Sequence, residues 1–174
     1  MKTVSVFSRN SKGQIVLKDM RWGLIPANYS GRLADWSAST THARIETVAT
    51  TSSFENAWRL RRRVIFPLER YFEKACLGAD LLGRKGKKEK VAISRADDKP
   101  MGVAGLYDYA VTLDGPVLSV AMLTRASGDR MLTIHDREPA VLEPEDWQAW
   151  LDGSDAIDPA IPWRDDAFKL EAAA

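Results

Sequence analysis

Cysteine is almost absent from this sequence, since Cys76 is the only one in 174 residues. A single cysteine excludes a disulfide within the chain and excludes a zinc site built on several cysteines. No apolar run approaches the length of a membrane span, and the N-terminal residues lack the pattern of a signal peptide. These absences predict a globular protein of the reducing cytoplasm, with no membrane and no metal partner.

The net charge is also small, at +1, but the charges are unevenly distributed along the chain. Residues 1–100 carry 20 Lys and Arg against 10 Asp and Glu, whereas residues 101–174 carry 5 against 14. This asymmetry indicates either a basic face for a polyanion, with nucleic acid first, or two halves that intermix in space so that their charges cancel. Composition alone leaves both interpretations open.

Short alternating and apolar segments predict many strands and few helices. The predicted strands are residues 3–7, 15–17, 64–66, 71–73, 91–94, 101–109 and 117–124. The longest predicted helix covers residues 47–63, with Ser52 and Glu55 as a capping box, and a short one ends at Leu151. We therefore expect an α+β fold around a curved or barrel-like, mostly antiparallel sheet. Residues 1–151 should form one domain, followed by a loosely packed acidic tail, residues 152–174.

Histidine is rare as well, and one of the two, His135, lies on a predicted polar turn between apolar runs. A histidine on such a turn can transfer protons near neutral pH. The alternative is a surface histidine beside a local ion pair of Asp136 and Arg137. Glu73, among aromatic and apolar neighbours, is a second candidate acid or base, and its alternative is a carboxylate that faces solvent.

Four arginines lie close together at the end of the predicted long helix: Arg59, Arg61, Arg62 and Arg63. Cations suit this end of a helix because of the helix dipole. Some of these side chains could contact phosphates, but a solvated basic face explains them equally well.

Seven segments of the sequence are informative when they are taken together and in their order along the chain. They are Arg21-Trp22-Gly23-Leu24-Ile25-Pro26, His42-Ala43-Arg44-Ile45-Glu46-Thr47, Phe54 with Trp58, residues 62–73 with Pro67, Ala104-Gly105-Leu106-Tyr107, Ile134-His135-Asp136-Arg137 with Pro139, and residues 147–151. In this order they resemble the SRAP family (SOS response-associated peptidase). The resemblance covers about residues 4–151 and implies a β-rich fold with a positively charged cleft for single-stranded DNA.

The resemblance also implies a reaction at abasic sites, in the response to DNA damage. In the family, a cysteine after the initiator Met forms a thiazolidine with the ring-opened sugar aldehyde, assisted by an asparagine, a glutamate and a histidine. Glu73 and His135 match the glutamate and the histidine, and His42 stands where the family has the asparagine. These three residues are therefore the candidate catalytic residues.

DNA-contact residues follow from the same resemblance. Arg44 and Arg137 match arginines that hold the DNA backbone, and Tyr29 lies near aromatic DNA contacts of the family. The expected partner is single-stranded DNA, including DNA with abasic sites, bound by a monomer without a cofactor or metal.

The sequence departs from the family at the nucleophile. Lys2 follows Met1, residues 1–7 match an internal strand of the family, and Cys76 has no adjacent α-amine with which to close a thiazolidine. Either the gene start lies upstream, or the chain is a divergent member that binds DNA without cross-linking to it. A third interpretation is a protein-interaction module that reuses the fold.

Overall fold

The computed structural model describes residues 2–76 and 88–173, in which strands dominate. The elements in chain order are β1 (Thr3–Arg9), β2 (Ile15–Trp22), β3 (His42–Arg44), α1 (Glu55–Arg59), β4 (Arg63–Leu68), β5 (Arg70–Cys76), β6 (Lys88–Arg95), β7 (Met101–Thr112), β8 (Gly115–Ala126), α2 (Asp129–Leu132), β9 (Arg137–Pro139), β10 (Val141–Leu142), α3 (Trp147–Leu151) and β11 (Phe168–Ala172). None of the helices in the described residues is long and apolar enough to cross a membrane.

Strand β7 closes the larger sheet into a barrel because it pairs with both β4 and β8. The ring runs β7, β4, β1, β2 and β8, and β3, β9 and β10 attach to its strands. Within this sheet only the pairings of β2 and β3 with β8 are parallel. The predicted α+β fold, with a barrel-like and mostly antiparallel sheet, is therefore confirmed.

Close packing of β4 against β7 depends on a glycine. A Cβ at Gly105 would lie 2.3 Å from the ring of Phe66 and 2.8 Å from the carbonyl oxygen of Ala121. Both contacts are shorter than real Cβ atoms make. Glycine at this position therefore lets the aromatic ring fill the barrel wall beside the β7–β8 ladder.

A second, three-stranded sheet consists of β5, β6 and β11, all antiparallel. Strand β11 lies in residues 152–174, which the sequence predicted to be a loosely packed tail. Trp163 and Phe168 of that segment are 8% and 3% exposed and join the largest apolar cluster. The segment after residue 151 thus contributes a strand and two buried aromatic side chains to the fold.

The helix predicted over residues 47–63 is wrong in length, because only α1 forms there. Residues 47–54 form successive turns instead, in which the backbone N–H groups of Thr50 and Phe54 donate to carbonyls three residues earlier, at 3.1 and 2.8 Å. The β-branched residues of this segment have a low helix propensity. No side chain caps α1, so the predicted capping box is absent. Arg61 then adopts a φ of 53°, which ends the helical path before β4.

The basic and acidic halves of the sequence intermix in space. Ion pairs connect side chains of residues 1–100 with side chains of residues 101–174. They are Arg9–Asp152, Arg61–Asp155, Arg62–Asp108, Arg137–Glu46 and Lys169–Asp98. Arg63, from the same cluster, is only 5% exposed. The arginines that follow α1 therefore do not form one solvated basic face.

Candidate active site

The C-terminal half of β8 brings distant parts of the chain together. On one edge it pairs in parallel with β3, which sets Arg44 opposite Thr124. On the other edge it pairs antiparallel with β9, which sets Pro139 opposite the same Thr124. Side chains from β3 and β9 therefore converge at the end of β8, although about ninety positions separate them in the sequence.

A cavity of about 310 Å³ lies at this convergence and is called the histidine cavity below. Its lining residues are His42, Arg44, Glu73, Thr124, His135, Arg137, Glu138 and Pro139. The structure thus brings together five of the six residues that the resemblance implied, and both histidines of the chain. In the described part of the chain, no group of His, Cys, Asp and Glu side chains has the arrangement of a metal site.

His42 begins β3 and enters the cavity with its ring held edge-on. Its ring centroid lies 5.5 Å from that of Trp22, at an interplanar angle of 87°, and its Nδ1 lies 3.1 Å from the hydroxyl of Thr41. Burial of part of the ring lowers the pKa of His42, and the carboxylate of Glu73 offsets this partly by raising it. The lowered pKa favours the neutral imidazole, which is the form that can accept a proton.

His135 enters from the turn between α2 and β9. Its Nδ1 accepts a hydrogen bond from the backbone N–H of Arg137 at 3.0 Å and lies 3.1 Å from the carboxylate of Asp136. The carbonyl oxygen of Arg137 also lies 3.1 Å from Nδ1. The ring is therefore oriented through Nδ1 by its own turn.

Glu73 reaches the cavity from the second sheet, on β5. Because side chains alternate along a strand, it shares its side of β5 with Tyr71 and Ala75, both of which are more buried than Phe72 and Lys74. Glu73 is half-buried, so the alternative of a fully solvent-facing carboxylate does not apply.

The two arginines of the cavity differ in their surroundings. Arg137 donates to both carboxylate oxygens of Glu46, at 2.7 and 2.9 Å, and to the carbonyl of Thr124 at 2.7 Å. These hydrogen bonds lower the pKa of Glu46. Arg44 is exposed, and its side chain forms no hydrogen bond or ion pair with another described residue. The local ion pair of Arg137 with Asp136, which the sequence offered as an alternative interpretation, is therefore wrong.

A buried ion pair lies behind the cavity. Arg125 and Glu138 are each 1% exposed, with 2.8 Å between the Nε of Arg125 and the carboxylate, and Arg125 also donates to the carbonyl of Val141. Burial raises the pKa of Tyr71, and the carboxylates of Glu138 and Glu73 raise it further. This network fixes one wall of the cavity from inside the protein.

Tyr29 does not line the cavity. Its hydroxyl donates to the carbonyl of Arg32 at 2.6 Å, and its ring packs edge-on against Trp36 in a small apolar cluster with Ile25. Sequence reasoning missed Glu46 and Glu138 instead. Glu46 lies in a segment that carried the resemblance and Glu138 lies between Arg137 and Pro139 of another, so position beside matched residues was the available signal.

Comparison with known proteins shows the family of this chain. The model of the family "SOS response associated peptidase (SRAP)" matches residues 1–166. The chain belongs to the SRAP family. The resemblance inferred from the ordered segments is thereby confirmed.

The relatives of this SRAP chain include three curated proteins. The chain is 34% identical over 136 residues to "Abasic site processing protein YMR114C" of Saccharomyces cerevisiae, covering 76% of this chain and 34% of that protein. It is 30% identical over 110 residues to YedK of Escherichia coli (63% and 46% covered) and 29% identical over 136 residues to YobE of Bacillus subtilis (78% and 58%). The chain therefore spans between about a third and three fifths of these relatives.

Solved structures carry the same fold. A crystal structure of a protein from Bordetella bronchiseptica matches with a TM-score of 0.84 at 27% identity, covering 99% of this chain and 84% of that one. A crystal structure from Bacteroides thetaiotaomicron matches with a TM-score of 0.80 at 21% identity, covering 99% and 74%.

Proposed function

We propose that this SRAP chain binds single-stranded DNA and takes an abasic nucleotide into the histidine cavity. The observation that carries the proposal is the convergence of both histidines, Glu73 and two arginines on one cavity. The curated relatives, which are named abasic site processing proteins, support the same substrate.

The chemistry of the cavity fits a sugar that has lost its base. Among its described lining residues there is no Trp, Tyr or Phe on which a base could stack. It offers instead three groups able to exchange protons, His42, Glu73 and His135. Arg44 is exposed and unpaired among the described residues, so it is free to contact a backbone phosphate.

The reaction that we propose for the polypeptide of this sequence stops short of a stable cross-link. A thiazolidine requires a thiol and an α-amine on one residue, and the only cysteine, Cys76, has an amide in place of that amine. Incubation with abasic single-stranded DNA followed by a denaturing gel tests this. We expect no heat-stable shifted band unless borohydride is added, and such a band without borohydride would refute the proposal.

Any remaining activity of the catalytic candidates would appear as β-elimination at the abasic aldehyde, with His42 or a lysine as the base or amine. We expect Glu73 and His135 to have no effect on this β-elimination. Strand scission of an abasic oligonucleotide should then be at background level for the wild type, Glu73→Gln and His135→Ala. Scission by the wild type that either substitution removes would contradict the expectation.

DNA binding itself is tested by fluorescence anisotropy with a single-stranded oligonucleotide across a salt series. We expect the binding constant to fall as salt rises, because phosphate contacts release counterions. Binding that is absent at low salt, or indifferent to salt, would refute the proposal.

A second candidate function is a protein-interaction module. Three apolar side chains are exposed at the tip of the β7–β8 hairpin, namely Tyr109, Val111 and Leu113, at 49%, 63% and 73%. Exposed apolar groups of this kind favour a protein contact. Absence of DNA binding at low salt would favour this candidate.

A further inference from the structure

A second cavity lies beside the histidine cavity and is called the indole cavity here. Its volume is about 440 Å³, and its apolar walls include Ile45, Trp58, Trp150 and Ile157. Glu46, which holds Arg137, lines this cavity as well. The Arg137–Glu46 ion pair therefore lies between the two cavities.

The polar group at the wall of the indole cavity is a buried arginine. Arg63 is 5% exposed, and its guanidinium carbon lies 3.9 Å from the centre of the Trp58 ring and 4.7 Å from that of Trp150. Arg63 is thus packed against both indoles, and it lines the cavity. Its Nε and Nη1 are inaccessible and have no hydrogen-bond partner among the described residues, which leaves Nη2 as the donor that can face a ligand.

Unsatisfied buried donors require an explanation, because each one costs stability. Burial lowers the pKa of Arg63 to about 10, so the guanidinium remains charged at neutral pH. A ligand atom that accepts a hydrogen bond from Nη2 of Arg63 would give this buried cation a partner that the described residues do not supply.

Acceptors lie at the same cavity. Asp155 is paired with Arg61, and Glu46 with Arg137. Asp158 accepts a hydrogen bond from the backbone N–H of Ala160 at 2.9 Å but has no cationic partner among the described residues. A ligand in this cavity is thus offered arginine donors, carboxylate acceptors and apolar walls, with one unpaired charge of each sign.

We propose that the indole cavity binds a nucleobase of single-stranded DNA, next to the abasic nucleotide in the histidine cavity. A base is flat and apolar on its faces and carries hydrogen-bond acceptors and donors on its edge. A base carbonyl matches Nη2 of Arg63, and a ring or exocyclic N–H matches Asp158. The proposal rests on the proposed DNA binding only for the source of the base.

Adenine is the exception among the bases because it has no carbonyl oxygen. Thymine and guanine combine a carbonyl with N–H donors on one edge. Thymidine and deoxyguanosine should therefore bind the indole cavity more tightly than deoxyadenosine does.

The first experiment titrates the protein with free nucleosides and follows the indole N–H resonances of Trp58 and Trp150 by NMR. We expect shifts with thymidine and deoxyguanosine, and smaller ones with deoxyadenosine. Ala160→Trp, at an exposed position that lines the cavity, should fill it and abolish the shifts. Asp158→Asn should weaken binding, and Asp166→Asn, an exposed carboxylate outside the cavity, is the matched control.

Two results of this titration would overturn the proposal. One is the absence of shifts up to the solubility limit of the nucleosides, which would mean that the cavity holds only water. The other is a set of shifts that persists unchanged in Ala160→Trp, which would place the nucleoside elsewhere.

The second experiment separates this proposal from the proposed function. Anisotropy is measured with abasic oligonucleotides in which the neighbouring nucleotide either carries thymine or has no base. We expect about tenfold tighter binding with the base, and loss of this difference in Ala160→Trp. Equal binding of both oligonucleotides would refute the base cavity and leave DNA binding intact. No binding of either would refute the proposed function, while the nucleoside titration still decides the cavity.

Discussion

Two ion pairs on neighbouring residues of the β8–β9 ladder have opposite surroundings. Arg125 lies opposite Glu138, and the next pair in register places Arg137 opposite Ala126. The side chains of Arg125 and Glu138 are each 1% exposed, whereas those of Arg137 and its partner Glu46 are 19% and 45% exposed. Because successive side chains point to opposite faces of a strand, one strand pair supplies both an interior ion pair and a cavity ion pair.

The difference in burial predicts a difference in role. Removing one partner of a buried ion pair leaves an uncompensated charge inside the protein, which typically costs about 3–5 kcal/mol. A partly exposed pair is screened by solvent and contributes about 0–1 kcal/mol. The Arg125–Glu138 pair should therefore support the fold, and the Arg137–Glu46 pair should mainly set the charge of the site.

The largest expected effect is on stability. Glu138→Ala should lower the free energy of unfolding by about 3–5 kcal/mol, because Arg125 is left charged and buried. Urea denaturation followed by circular dichroism measures this, with Glu171→Ala at an exposed, ion-paired position as control. A loss below about 1 kcal/mol would remove the distinction between the two ion pairs.

The next effect concerns DNA affinity and contrasts the two cavity arginines. Arg44→Ala should weaken single-stranded DNA binding and lower the slope of log K against log salt by about 1, because one phosphate contact is lost. The exposed Arg164 offers a control, Arg164→Ala, that removes the same charge outside the histidine cavity. Equal effects of both substitutions would mean that only overall charge matters.

A smaller effect is expected at the partly exposed pair. Glu46→Gln should change the free energy of unfolding by less than about 1 kcal/mol. Single-stranded DNA binding should nevertheless tighten and become more salt-dependent, because Arg137 is no longer neutralised. Fluorescence anisotropy across a salt series measures the DNA affinity of this variant. Weaker binding would indicate that Glu46 positions Arg137 for DNA contact instead.

The smallest effect concerns the titration of His42. Burial favours the neutral form of His42 in the folded state. As the pH falls, His42 is therefore protonated first in the unfolded chain, near its ordinary pKa of 6.5. The stability associated with His42 is present above pH 6.5 and is lost below it, until the lowered pKa of the folded state is reached. In Glu73→Gln the pKa of His42 should fall further, because a carboxylate that raises it is gone.

NMR titration of the imidazole resonances measures this pKa in both proteins. Asp98→Asn, an exposed carboxylate that pairs with Lys169, is the control. An unchanged pKa in Glu73→Gln would show that Glu73 and His42 do not interact across the cavity.

The strands could be predicted from the sequence because alternation and apolar runs determine which face is buried. The long helix could not, because residues 47–54 form separate turns and the positive φ of Arg61 is not visible in a helical pattern of apolar residues. Strand β11 was missed because its segment is rich in Pro and Asp, while its stability comes from pairing with β6, more than seventy residues earlier.

The candidate site was predictable only through ordered segments shared with a family. His135 alone was weak evidence, and the pairing of Glu46 with Arg137 could not be predicted, because the two residues are 91 positions apart. The indole cavity could not be foreseen either. It depends on the contact of Arg63 with Trp150, whereas the sequence left open only whether Arg63 contacts a phosphate or belongs to a solvated basic face.

The dependence of the site on β8 has a consequence for the order of folding. The β8–β9 pairing joins residues at most fifteen positions apart, so forming it costs little loop entropy. The parallel β3–β8 pairing joins residues about eighty apart, and such non-local pairings form slowly. His135 and Arg137 should therefore reach their native arrangement before His42 and Arg44 arrive. A refolding chain is then expected to form the β8–β9 pairing early and to complete the histidine cavity last.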